Sequence, residues 1–235
     1  TNEIQIKKIT STSQILNEVF YQLKNNFLNP KLPGLSSGFF ELDKLTQGFQ
    51  NSDLIILAGR PSMGKTALSL NIALNSIKQA RLPVLFCSLE MSKEQIIYRL
   101  LSSETGINQT KLRNGKLNQN DWIKLNKIMR ILAKLPFFID DTSNLSIQDI
   151  RSRIRTVLFE QSQIGLVIID YLQLMQNSEL KQTNRVQELS QITRYLKNLA
   201  REFNIPIIAL SQLSRSIENR TNQRPILSDL RERID

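Results

Sequence analysis

Eight consecutive residues, Gly59-Arg60-Pro61-Ser62-Met63-Gly64-Lys65-Thr66, set two glycines, a cation and a hydroxyl in the spacing GxxxxGK[ST]. The chemistry of such a run is anion binding. Glycine admits backbone conformations that turn successive N–H groups inward onto one oxyanion. A lysine adds a point charge for β- and γ-phosphate oxygens, and a threonine hydroxyl is a hard oxygen ligand for Mg²⁺. The run follows the apolar stretch DLIILA and precedes the helical pattern KTALSLNIALNSI. It therefore belongs at a strand-to-helix junction, where the helix N-terminus contributes further positive potential. An accidental Gly-rich turn would have to match every specified position in that context. The pattern predicts a nucleoside-triphosphate site, with all eight residues around the phosphates, Lys65 on phosphate, and Thr66 on Mg²⁺.

Bound Mg²⁺ calls for an acidic partner. The stretch LVIID, residues 166–170, is an apolar run ending in Asp170. A carboxylate at the C-terminal end of a buried strand lies at the sheet edge where ligands bind. Glu90 ends the run VLFCSLE and has two readings. It is either a base that activates water beside the metal, or an acid complementing the start of the next helix. Gln212 closes IPIIALSQ with Ser211, either as a group that senses the γ-phosphate or as a solvated strand end. The arginines 215, 220, 224, 231 and 233 are nearly balanced by Glu218, Asp229, Glu232 and Asp235, so they make a weak nucleic-acid signal. Residues 91–135 are more one-sided, with nine Lys and Arg, Arg99 and Arg113 among them, against Glu94, Glu104 and Asp121. That surplus is a solvated surface or a long-range attraction to polyanions.

Positioning these residues requires alternating elements. Apolar runs predict strands at 54–58, 84–88, 137–139, 166–169 and 205–210. Periodic stretches predict helices at 65–78, 93–103, 120–132, 147–160 and 186–202. Continuous apolar strands alternating with helices give an α/β fold with a mainly parallel sheet covered on both faces. Ahead of it, Ile15, Leu16, Val19, Phe20, Leu23 and Phe27 recur at helical spacing, with Ser13 as the expected cap and Asn29-Pro30 as the stop. Such a helix either folds back on its own core or docks on a neighbour. The division is therefore 1–32 as a helical appendage and 33–235 as the main domain. The polar stretches 177–184 and 217–223 read as mobile loops, Cys87 as a core residue and Trp122 as a helix-packing anchor.

Composition narrows the chemistry. There is no histidine and only one cysteine in 235 residues, which excludes Ser-His-Asp and Cys-His catalysis, a Cys/His zinc site and an internal disulfide. Hydrophobic residues make up 40% and charged residues 22%, the balance of a folded domain. A net charge of +10 suits a polyanionic partner without requiring one. No apolar run approaches the ~20 residues of a membrane span, so no membrane association is expected. Abundant Ile, Asn and Lys, without a transit-peptide pattern, point to an AT-rich genome and a plastid stroma, or alternatively a bacterial cytoplasm.

Across GRPSMGKTALSLNIA, SLEMSKEQIIYRLLSSETGI, DDTSNLSIQDIRSR, LVIIDYLQLM, NRVQELSQITRYLKNLAREFNIPIIALSQLSRSIE and RPILSDLRE, the chain resembles the DnaB-type replicative DNA helicases, which are RecA-like hexameric motors. SLEM and DYLQLM discriminate far more than the phosphate loop alone. The resemblance implies a RecA-like ATPase core that uses ATP and Mg²⁺. Glu90 would be the general base, Asp170 would position Mg²⁺, and Gln212 would couple the γ-phosphate to the DNA loops. Arg231 and Glu232 would approach single-stranded DNA in the channel. It further implies a homo-oligomeric ring of six subunits moving 5′ to 3′, residues 13–28 as a linker helix on the adjacent subunit, and primase and a loader as partners.

Three departures are visible. The family's N-terminal primase-contacting domain does not precede the linker helix, and SDLRE runs into Arg233-Ile234-Asp235 where the family has SDLRESG. The basic finger that reaches a neighbour's site would lie beyond residue 235. The expectation is thus a motor cut short, with a nucleotide-binding but hydrolysis-deficient subunit as the alternative and a RecA-like recombinase behind it.

Overall fold

The computed structural model describes residues 11–28, 32–175, 185–213 and 224. The stretches 177–184 and 217–223 lie outside the described residues, as do Arg231 and Glu232. The chain divides into two compact units, Thr1–Pro33 and Gly34–Asp235.

In the first unit, α1 spans Thr12–Leu28. Its start is held by Ser11, whose Oγ accepts from the Gln14 N–H at 3.4 Å. Ser11 therefore takes the place expected of Ser13, which lies inside the helix. The apolar stripe is exposed throughout, with Phe20 65% and Phe27 86% accessible.

In the second unit, β1 (Leu54–Gly59), β2 (Val84–Ser88), β3 (Phe137–Asp140), β4 (Leu166–Asp170) and β5 (Ile207–Gln212) form one sheet in the order β1-β5-β4-β2-β3. Every pairing is parallel. Helices α2 (Phe40–Thr46), α3 (Lys65–Ala80), α4 (Lys93–Thr105), α5 (Gln109–Arg113), α6 (Gln119–Leu132), α7 (Ile147–Gln161) and α8 (Arg185–Phe203) complete it. The expected α/β class and its strands are all present. α2 and α5 were not expected, because seven and five residues are too few to show a helical period. β5 starts two residues later than predicted. The Ile205 N–H returns to the Ala200 carbonyl at 3.1 Å, and Pro206 has no N–H to give a ladder.

Up to their C-terminal ends the central strands are apolar at every position, because both faces are covered. On one face Val84, Phe86, Leu166, Ile168, Ile208 and Leu210 pack with Leu70, Leu74 and Ile77 of α3 and Ile96 and Leu100 of α4. The intervening residues, Leu85, Cys87, Val167, Ile169, Ile207 and Ala209, face Ile150, Ile154 and Val157 of α7 and Ile192, Leu196 and Leu199 of α8. Cys87 is buried there as expected, and burial pushes its thiol up to about 12. A smaller cluster, Leu101, Ile107, Leu112 and Leu125, joins α4, α5 and α6. Trp122 is not an anchor of it. It stands on the outer side of α6, 50% exposed.

Candidate nucleotide site

Parallel strands bring all their C-terminal ends to one edge, and their register decides which side chains meet there. Gly59 of β1 pairs with Gln212 of β5, and Ser88 of β2 pairs with Asp170 of β4. The Leu89 N–H extends that ladder by donating to the Asp170 carbonyl at 2.7 Å. This carries Glu90 past the end of β2 and sets it beside Asp170. The resulting cleft of about 540 Å³ is lined by Pro61, Ser62, Gly64, Lys65 and Thr66 from the loop, together with Glu90, Asp170 and Gln212.

The loop's backbone is shaped by one glycine and one serine. Gly64 caps α3 at φ 85°, and Ser62 holds φ 62°, a left-handed conformation that costs an L-residue of this type something. Gly59, expected to need the same freedom, does not: it is ordinary strand. A side chain there would instead press on the aliphatic stem of Lys65, whose Cγ lies 3.3 Å from where a Cβ would sit. Two loop side chains turn away from the cleft. Arg60 donates to the Leu213 carbonyl at 3.0 Å, and Met63 is 75% exposed.

Lys65 Nζ donates to the carbonyls of Gly59 at 2.7 Å and Arg60 at 3.2 Å. Burial lowers its pKa, with the nearby carboxylates of Asp170 and Glu90 opposing and Arg60 adding to the shift. Asp170 is 1% exposed, and the Thr66 hydroxyl donates to its Oδ2 at 2.7 Å. Burial raises its pKa, and the charge of Glu90 raises it further, against the Thr66 hydrogen bond and the charges of Lys65 and Arg99. A hydroxyl and a carboxylate in contact at the first turn of α3 are a donor set that suits Mg²⁺. That ion takes few protein oxygens and keeps several waters. Among the described residues no three or more His, Cys, Asp or Glu come together as a metal-holding group.

Arg99 and Arg113 also line the cleft, with Gln95. The sequence placed both arginines only in a diffuse basic interval. A local signal existed for the first: Gln95 and Arg99 are i and i+4 on α4 and so share a face. Nothing local marks Arg113, which the folding of α5 against α4 and α6 brings in. The geometry thus presents three cations and two carboxylates around a space for a polyphosphate.

Residues 34–234 match the model of the DnaB-like helicase C-terminal domain. A probable replicative DNA helicase of Trieres chinensis is 65% identical over 232 residues, covering 99% of this chain and 51% of that protein. The replicative DNA helicase DnaB of a Nostoc species is 53% identical over 214 residues, covering 91% of this chain and 24% of its own length. The chain spans about half the length, or less, of these relatives. Among solved structures, an isolated ATPase domain superposes with a TM-score of 0.89 at 35% identity, covering 95% of this chain and 78% of that one. A DnaB-like replicative helicase, solved in a study of its interactions with primase, gives a TM-score of 0.84 at 35% identity, covering 95% and 53%. The parallel sheet is that of a RecA-like ATPase domain, and with the family model spanning nearly all of the second unit, this chain belongs to the DnaB-like helicase C-terminal domain family.

Proposed function

We propose that this chain is the ATPase motor of a replicative DNA helicase, coupling Mg-ATP hydrolysis to 5′–3′ movement on single-stranded DNA and to duplex unwinding. The observation that carries it is the meeting of Lys65, Thr66, Glu90, Asp170 and Gln212 at one sheet edge in a member of this family. Lys65 and the loop N–H groups bind the phosphates. Thr66 and Asp170 hold Mg²⁺, which when bound neutralises charge on the β- and γ-oxygens. Glu90, exposed at the mouth of the cleft, accepts the proton of the attacking water. Gln212 reads the γ-phosphate from the end of β5, and Arg231 and Glu232 approach the DNA backbone.

A ring of six copies follows from the same reading. The exposed apolar stripe of α1 supplies a surface by which one copy docks on the next, and burying Phe20 and Phe27 would reward the contact. Primase is a partner in this reading, supported by the solved relative whose interactions with primase were studied; a loader is a further one. No described helix is long and apolar enough to cross a membrane. We assign the protein to the plastid stroma, on its amino-acid composition and its algal relatives in Trieres and Guillardia.

Steady-state ATP turnover, with and without single-stranded DNA and alongside the mass in solution, tests the proposal. DNA-stimulated turnover by a ring, lost in Lys65→Ala, is the expected result. Turnover indifferent to both DNA and Lys65→Ala would overturn it.

A further inference from the structure

The β4–β5 ladder runs through Val167–Ile207, Ile168–Ile208 and Ile169–Ala209. Beyond Asp170 the β4 chain leaves the sheet through Tyr171 into a 3-10 turn, Leu172–Leu174, while β5 continues to Gln212. On its other side β5 stays in register with β1 as far as Gly59–Gln212, and the Leu213 N–H donates to the Gly59 carbonyl at 3.3 Å. On the β4 side a side chain stands where backbone would be. Gln173 Nε2 donates to the Gln212 carbonyl at 3.1 Å and to Ser211 Oγ at 3.0 Å, and the Gln212 N–H donates to Gln173 Oε1 at 3.3 Å. A primary amide offers a donor and an acceptor in one plane, as a peptide does. Gln173 therefore gives the Gln212 peptide the pairing that β4 would have made had it continued two residues past Asp170 in the same register.

We propose that Gln173 is a positioning residue for the γ-phosphate sensor. Its amide fixes the last peptide of β5, holds the Gln212 side chain in the phosphate cleft, and ties that peptide to the segment leaving Asp170. The inference rests on the reading of the cleft as an ATP site with Gln212 as sensor. Only an amide has both functions. A carboxylate would turn an oxygen toward the Gln212 carbonyl, and an alkyl group would leave both peptide groups without a partner.

The test compares Gln173→Leu, Gln173→Glu, Gln212→Ala and the Gln173→Leu/Gln212→Ala double variant with the unmodified chain. Binding of a fluorescent ATP analogue, DNA-stimulated turnover and melting temperature are read for each. Both Gln173 variants are expected to keep nucleotide affinity within about threefold and to lose on the order of ten- to hundredfold in turnover, the scale of a misplaced group in an otherwise intact site. In the Gln212→Ala background Gln173→Leu should cost nothing further, because its effect passes through Gln212. Independent multiplicative losses, full turnover in Gln173→Glu, or a turnover loss matched by lost affinity would overturn the assignment. If Gln173→Leu does not fold, Gln173→Glu decides alone through its split between affinity and turnover. If the unmodified chain binds no nucleotide, or Gln212→Ala turns over normally, the reading beneath falls and takes this one with it; failure in the Gln173 variants alone sinks only the positioning role.

Discussion

The C-terminal edge of the sheet and the α4–α6 unit hold their residues by opposite means. At the edge, polar groups are fixed by hydrogen bonds from the adjoining helix, turn and loop. Asp170 receives the Thr66 hydroxyl, Gln212 is bracketed by Gln173, and Arg60 reaches across to Leu213. The α4–α6 unit relies on four buried side chains and on helix caps, among them the Asn118–Asp121 capping box. Its outer side leaves Trp122 and Ile123 exposed, 50% and 63%. The edge groups are positioned by directional bonds, whereas the α4–α6 unit, which also brings Gln95, Arg99 and Arg113 to the cleft, is held mainly by non-directional burial. Arg113 links the two, since it lines the phosphate cleft while its neighbour Leu112 sits in the small cluster.

That contrast can be broken by experiment. The largest effect is expected from Glu90→Gln, which removes the base and should lower turnover by about 10²–10⁴ while nucleotide still binds; normal hydrolysis measured in that variant would remove Glu90 from the mechanism. Lys65→Ala comes next. Loss of a charge-assisted contact worth ~3 kcal/mol should weaken ATP binding by about a hundredfold with little change in melting temperature.

In the other region the signs reverse. Leu125→Ala should destabilise the fold by about 2 kcal/mol, the low end for a core leucine because the cluster is small, and leave ATP affinity unchanged. A loss of affinity as large as that of Lys65→Ala would show that Arg99 and Arg113 depend on this cluster for their place in the cleft. Asn118→Ala, breaking the capping box, should cost about 1 kcal/mol in denaturant unfolding.

The smallest effect concerns Asp140 on edge strand β3. Burial pushes its carboxyl up, but hydrogen bonds from Thr142 and Arg153 outweigh that and hold it below the ordinary range. A depressed carboxylate stabilises the fold above its unfolded pKa, and that stability is lost as pH falls through the lower folded value. Asp140→Asn should therefore lower stability by under about 1 kcal/mol at neutral pH, with the difference vanishing in strong acid; an equal difference at both pH values in thermal melts would refute the assignment.

Much of the edge was legible because its parts are local. The phosphate loop is eight contiguous residues, and Asp170 and Gln212 each end an apolar run. Glu90 was ambiguous because a Glu before a helix suits both a base and a dipole partner. What decided its place was the Leu89–Asp170 backbone bond, a contact between residues about eighty apart. Trp122 was misread for the converse reason. Its helical period with Leu125 and Met129 is real, but amphipathicity does not say which apolar residue faces inward when the covering layer is thin.

Residue types and short spacings were enough to place the five strands and the longer helices and to mark residues 59–66 as a candidate anion-binding loop, since each depends on positions a few residues apart. Tertiary packing settled the strand order β1-β5-β4-β2-β3, the arrival of Arg99 and Arg113 at the phosphate cleft, and the use of the Gln173 amide in place of backbone. Each of these joins groups far apart in the chain, or turns on which way a side chain points, and periodicity carries neither kind of information. Parallel pairing has no local turn to announce it, so its register emerges only when helices cover both faces and the whole edge assembles at once.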